Sequence, residues 1–123
     1  MAPIGHRTWA ISGGHIPPES SGREPEHTSR DVLCLLNTGD ADARLRMTLY
    51  YEDREPVGPY PLTVPARRLR HVRVNDLIDP EAVPLGVPYG CVIESDAPIV
   101  VQLTRVDSGA HAGALVGLPA LPS

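Results

Sequence analysis

An all-β fold is predicted for this sequence: an antiparallel β-sandwich of about eight short strands, one domain over residues 1–123. Three features carry the prediction. Fourteen prolines and eleven glycines interrupt the chain at short intervals and leave little room for helices of ordinary length. The apolar runs between them are short and rich in Val, Ile, Thr and Tyr, which suit a pleated surface. With 41% apolar residues but no Phe, one Trp and four Tyr, the chain can build a core, and that core is aliphatic.

Strands are expected near 6–12, 31–37, 43–52, 60–64, 66–74, 89–95, 98–106 and 112–118. In "RLRMTLYY", Leu45, Met47, Leu49 and Tyr51 point one way and Arg44, Arg46, Thr48 and Tyr50 the other. "PIVVQLTRV" sets Val101 and Leu103 against Gln102 and Thr104 in the same manner. "NTGD" at 37–40 and "ESDAP" at 94–98 have tight-turn chemistry, so each is expected to join consecutive strands as a hairpin. Segments 13–27 and 75–88 lack periodicity and read as long loops, the kind that carry function. The tail over 109–123 is rich in Gly and Ala.

The formal charge is −4, which argues against a nucleic-acid partner. All eleven cations are arginine, and four of them crowd with His71 into "PARRLRHVRVNDL", residues 65–77. Alternation places Arg67, Leu69, His71 and Arg73 on one face and Arg68, Arg70, Val72 and Val74 on the other. Neither face is apolar throughout. Such a strand either contains a bulge near residue 70 or lies at a sheet edge, where charge deters stray pairing. A ligand or subunit contact is the functional alternative, and contact with DNA is a third.

Cys34 and Cys91 sit in the apolar runs "VLCLL" and "GCVIE" and read as buried free thiols, with a cross-strand disulfide as the alternative. No apolar run approaches the ~18 residues of a membrane span, and no signal stretch opens the chain, so a cytoplasmic location is expected. GxSxG, P-loop and GxGxxG motifs are absent, and the five histidines never fall at ligand spacing. No enzyme activity, cofactor or metal is therefore expected. The carboxylate pairs in "EDRE" (52–55) and "REPE" (23–26) read as solvated loop charge. Trp9 reads first as core and second as a ring face beside the 13–27 loop. "QLTRVDS" ends a core strand with Arg105 and Asp107, an ion pair or half of a polar site.

Five stretches are more specific than any of these motifs: "WAISGGHIP", "LLNTGDADA", "YYEDREPVGPY", "LTVPARRLRHVRVNDL" and "PIVVQLTRVDS". Together they resemble the sensory rhodopsin transducer family over about residues 5–108. The resemblance implies a β-sandwich subunit of a cyclic homotetramer, non-catalytic, with a signalling or small-molecule (sugar-like) binding role. It also implies a membrane rhodopsin as a partner, and DNA as a further contact. Matching the motifs position by position selects Trp9, His15, Glu26, Arg67, His71, Asn75, Asp76, Arg105 and Asp107 as ligand-binding candidates.

Overall fold

Two layers of strands share one long strand. The structure, a computed structural model, describes residues 2–18, 29–107, 114–118 and 121–122. Its strands are β1 (His6–His15), β2 (Arg30–Asn37), β3 (Ala43–Tyr50), β4 (Val57–Val64), β5 (Arg68–Arg73), β6 (Pro88–Asp107), β7 (Ala114–Leu118) and β8 (Leu121–Pro122). The first half of β6 lies between β1 and β3, giving a layer ordered β4–β3–β6–β1–β8. Its second half lies between β2 and β7, and β5 continues that layer beyond β2. All pairings are antiparallel. This is the antiparallel β-sandwich that the sequence predicts.

Alternation positions the core. Leu45, Met47 and Leu49 of β3 face Ile93 and Cys91 of β6 and Leu62 of β4, while Leu33, Leu35, Val101 and Leu103 close the core from the other layer. Burying each large aliphatic side chain contributes about 1.5–3 kcal/mol. Both cysteines are free thiols, Cys91 buried and Cys34 half-buried, so the disulfide alternative is excluded.

Two expected hairpins are not hairpins. At "ESDAP" the chain does reverse, but β6 continues through it, and its two arms belong to opposite layers. The β1 ladder shows the kink: His6 pairs with Ile99, yet Thr8 pairs with Glu94. Extra residues bulge out of β6 there, held by Ser95 Oγ accepting from the Ala97 N–H (3.2 Å) and Asp96 Oδ1 accepting from the Arg44 N–H (2.8 Å). The polar turn residues are real, but they bend a strand across the core. Likewise "NTGD" carries the chain from β2 in one layer to β3 in the other.

β5 is an edge strand in register with β2 from Val32 opposite Arg73 to Asn37 opposite Arg68, without a bulge. Alternation holds through it. Leu69 and His71 are exposed, Val72 is buried and Arg73 is half-buried, while Arg68 and Arg70 are exposed although they share the parity of Val72. Arg68 donates to its neighbour's carbonyl, Arg67 O (3.0 Å), and Arg70 to Thr63 O (2.7 Å).

Candidate functional site

β2 places Asp31, Leu33, Leu35 and Asn37 on the core side, so an acidic residue occupies a core register. Asp31 is fully buried. An unpaired carboxylate there would cost several kcal/mol, and four donor contacts compensate it. Arg105, its cross-strand partner on β6, gives Nε at 2.8 Å and Nη2 at 3.3 Å. The Tyr89 hydroxyl donates at 2.8 Å and the His15 backbone N–H at 2.8 Å. Arg105 Nη2 also donates to Gly13 O at 2.7 Å. One carboxylate thus ties the end of β1, the start of β2 and both ends of β6.

Tyr89 connects this node to the surface. Gly14 packs flat on its ring, where a Cβ would overlap the aromatic carbons. Burial, then the charge and hydrogen bond of Asp31, push the Tyr89 hydroxyl's pKa well above the ordinary tyrosine value. Burial alone pushes the nearby Cys91 thiol up to about 12. Tyr89 is also one of the residues lining an open recess of about 250 Å³. Tyr50, Tyr51 and Glu52 line it from the end of β3 and the loop beyond, Pro88 and Gly90 flank Tyr89, and Ser12 comes from β1. The Arg54 guanidinium lies over the Tyr51 ring, 4.5 Å from its centroid, and is held by Asp53 at 3.4 Å.

The residues selected from sequence do not converge on one place. His15 and Arg105 meet at Asp31. Asn75, in a single 3-10 turn (Val74–Asp76), donates to Ser29 O at 3.0 Å, two residues before that node. Its Oδ1 and the Arg73 Nε are buried without a hydrogen-bond partner among the described residues. Asp76 is exposed, and Asp107 ends β6 opposite Ala114. Trp9 is buried in the core, its indole N–H shared between His6 O (3.1 Å) and Ile99 O (2.9 Å). His71 is exposed on the outer face of β5, and Arg67 lies at the opposite end of the sandwich, where its N–H meets Gly39 O. Glu26 lies outside the described residues. Asp31, Tyr89 and the Tyr50–Tyr51 pair were missed. The available signal was an Asp in phase with Leu33 and Leu35 in "RDVLCLLN".

Comparison with known proteins decides the family. The family model described as Anabaena sensory rhodopsin transducer matches residues 4–122. The chain belongs to the sensory rhodopsin transducer family. The structure named Anabaena sensory rhodopsin transducer is 52% identical, with a TM-score of 0.75 over 84% of this chain and 98% of that one. A Thermotoga maritima protein, numbered 1070, is 31% identical, with a TM-score of 0.84 over 97% of this chain and 96% of that one. Among curated proteins none matches significantly. No helix among the described residues is long and apolar enough to cross a membrane.

Proposed function

We propose that this transducer-family chain is a non-catalytic signalling subunit whose input is a small polar molecule held in the Tyr50–Tyr51–Tyr89 recess. The observation that carries the reading is Tyr89, which both lines the recess and donates its hydroxyl to the buried Asp31–Arg105 pair. A molecule that favours one placement of that ring shifts the balance between arrangements of the β1 end and the chain beyond it, because Asp31 also holds the His15 N–H. Tyrosine faces with a hydroxyl and a carboxylate at the rim are ordinary chemistry for small polar ligands, sugars included.

Thermal-shift screening of sugars, nucleosides, amines and organic acids tests it. A ligand at 100-fold its Kd contributes about 2.7 kcal/mol of stability and raises Tm, and Tyr50→Ala removes the shift. A screen in which nothing raises Tm defeats the reading.

Membership of the family and 52% identity to a protein named for a sensory rhodopsin favour a second reading, in which the output or input is a membrane photoreceptor. Retention of the chain on opsin-loaded detergent micelles, and not on empty ones, is its test. In either reading the working unit is the homotetramer. Leu36 and Leu69, cross-strand partners on the outer face of β2 and β5, are exposed by 37% and 60% and supply an apolar contact. Leu69→Glu is expected to lower the sedimenting mass; an unchanged mass places the contact elsewhere.

A further inference from the structure

The recess described above has a charge and surface chemistry that narrow its ligand. Three tyrosines, Tyr50, Tyr51 and Tyr89, are among its lining residues, and aromatic faces carry negative potential. The charged side chain among its lining residues is the carboxylate of Glu52. The loop that supplies it, 51–56, also carries Asp53 and Glu55 against the single cation Arg54. At Tyr51 burial acts first and raises the hydroxyl's pKa, the Arg54 cation opposes it, and Glu81, from a second segment of the chain, adds a smaller negative contribution.

A cation already sits against one of these rings. The Arg54 guanidinium stands over Tyr51 at 4.5 Å, inside the range of cation–π attraction. The hydrogen-bonding capacity is, by contrast, modest. The Tyr89 hydroxyl is committed to Asp31, which leaves Ser12, Glu52, Tyr50 and Tyr51 as the lining residues with a polar side-chain group. A polyol needs most of its hydroxyls paired to offset their desolvation, whereas an organic cation with a methylated or planar head needs ring faces and one counter-charge.

From this we infer that the recess takes a small organic cation, of the quaternary-ammonium or guanidinium class, in preference to neutral sugars and to anions. The inference rests on the proposed role of the recess and specifies its ligand class. Tyr50, exposed on the outer face of β3, and Tyr51 supply the ring faces, and Glu52 is the counter-charge. Arg54 acts as an internal competitor that places a like charge beside the ligand.

The experiment is a titration of the full chain followed by tyrosine ring signals in NMR, using choline, its neutral isostere 3,3-dimethylbutan-1-ol, guanidinium, glucose and inorganic phosphate. Choline or guanidinium is expected to shift the Tyr50 and Tyr51 signals, with choline at least about tenfold tighter than its neutral isostere. Tyr50→Leu keeps apolar bulk, removes the ring face, and is expected to weaken cation binding by about tenfold. Glu52→Gln should weaken it and flatten its dependence on salt. Arg54→Ala should strengthen it, the opposite of what an anion site would do. Tyr50, Glu52 and Arg54 are all exposed, so these variants leave the core intact. Equal binding of choline and its isostere, or weaker cation binding in Arg54→Ala, overturns the inference. Binding of glucose or phosphate without the cations overturns the ligand class and leaves the recess as a site. No shift with any probe overturns both.

Discussion

Two residues of one strand, Asp31 and Asn37, are buried polar hubs at opposite ends of the sandwich, and they are satisfied in different ways. Among the described residues, Asn37 binds only main chain. Its Nδ2 donates to Ala41 O (2.9 Å) and Val64 O (3.0 Å), and its Oδ1 accepts from the Gly39 N–H (2.9 Å). The β2–β3 and β4–β5 crossings are thereby sewn together, with Asp42 Oδ1 accepting from the Ala66 N–H (2.9 Å) and Gly39 O from the Arg67 N–H (3.1 Å). Asp31 depends on side chains as well, and one of them, Tyr89, reaches the recess. A neutral amide answered by fixed backbone serves as a lock. A charge answered by side chains is joined, through Tyr89, to the lining of the recess.

The sharpest way to break this contrast is to delete each hub. Asp31→Ala strands the Arg105 guanidinium and the Tyr89 hydroxyl, and should cost about 3–5 kcal/mol in urea unfolding. Asn37→Ala leaves carbonyl groups without a donor and should cost about 1–3 kcal/mol, without altering the proposed ligand response of the recess. A larger loss at Asn37 than at Asp31 would reverse the ranking.

Alkali probes the charged end through two buried groups. Cys91 and Tyr89 both have pKa values raised in the folded protein above their ordinary 9.0 and 10.0. Their contributions are complete below those values. Above them the unfolded chain releases protons that the native state retains, so stability falls as pH rises, by about 1.4 kcal/mol per pH unit for each group. The loss through Cys91 runs from pH 9.0 to about 12. Cys91→Ala should remove the decline between pH 9 and 10, and Tyr89→Phe should reduce it above pH 10, in unfolding measured across the series.

At the neutral end the expected effect is smallest. Arg67 is held at φ 54°, a left-handed conformation costly for a side chain with a Cβ. Its ion pair with Asp40, 3.8 Å long and well exposed, offsets little. Arg67→Gly should therefore raise stability by up to about 1 kcal/mol; a loss would mean that the arginine is held by more than its backbone.

Strand positions were legible because parity is a local property: Leu45, Met47, Leu49, Val101 and Leu103 are buried where alternation puts them. The partners of each strand were not. Turn residues in "NTGD" and "ESDAP" announce a change of direction, but whether the arms then pair or face each other across a core depends on neighbours far along the chain. The site suffered for the same reason. Arg105 stood out as a cation at a strand end, yet its counterpart lies 74 residues away. Tyr89 became visible only once β6 had folded back to bring it beside Asp31. The family words at 37–42 and 62–67 mark the Asn37 lock; part of what made the sequence recognisable is architecture.

The shared strand has a further consequence. Since β6 contributes a central strand to each layer, neither can melt away while the other keeps all its pairing. Amide hydrogens on the two arms should accordingly exchange through a common global opening, with similar protection, and equilibrium unfolding should show a single cooperative transition with no half-sandwich species.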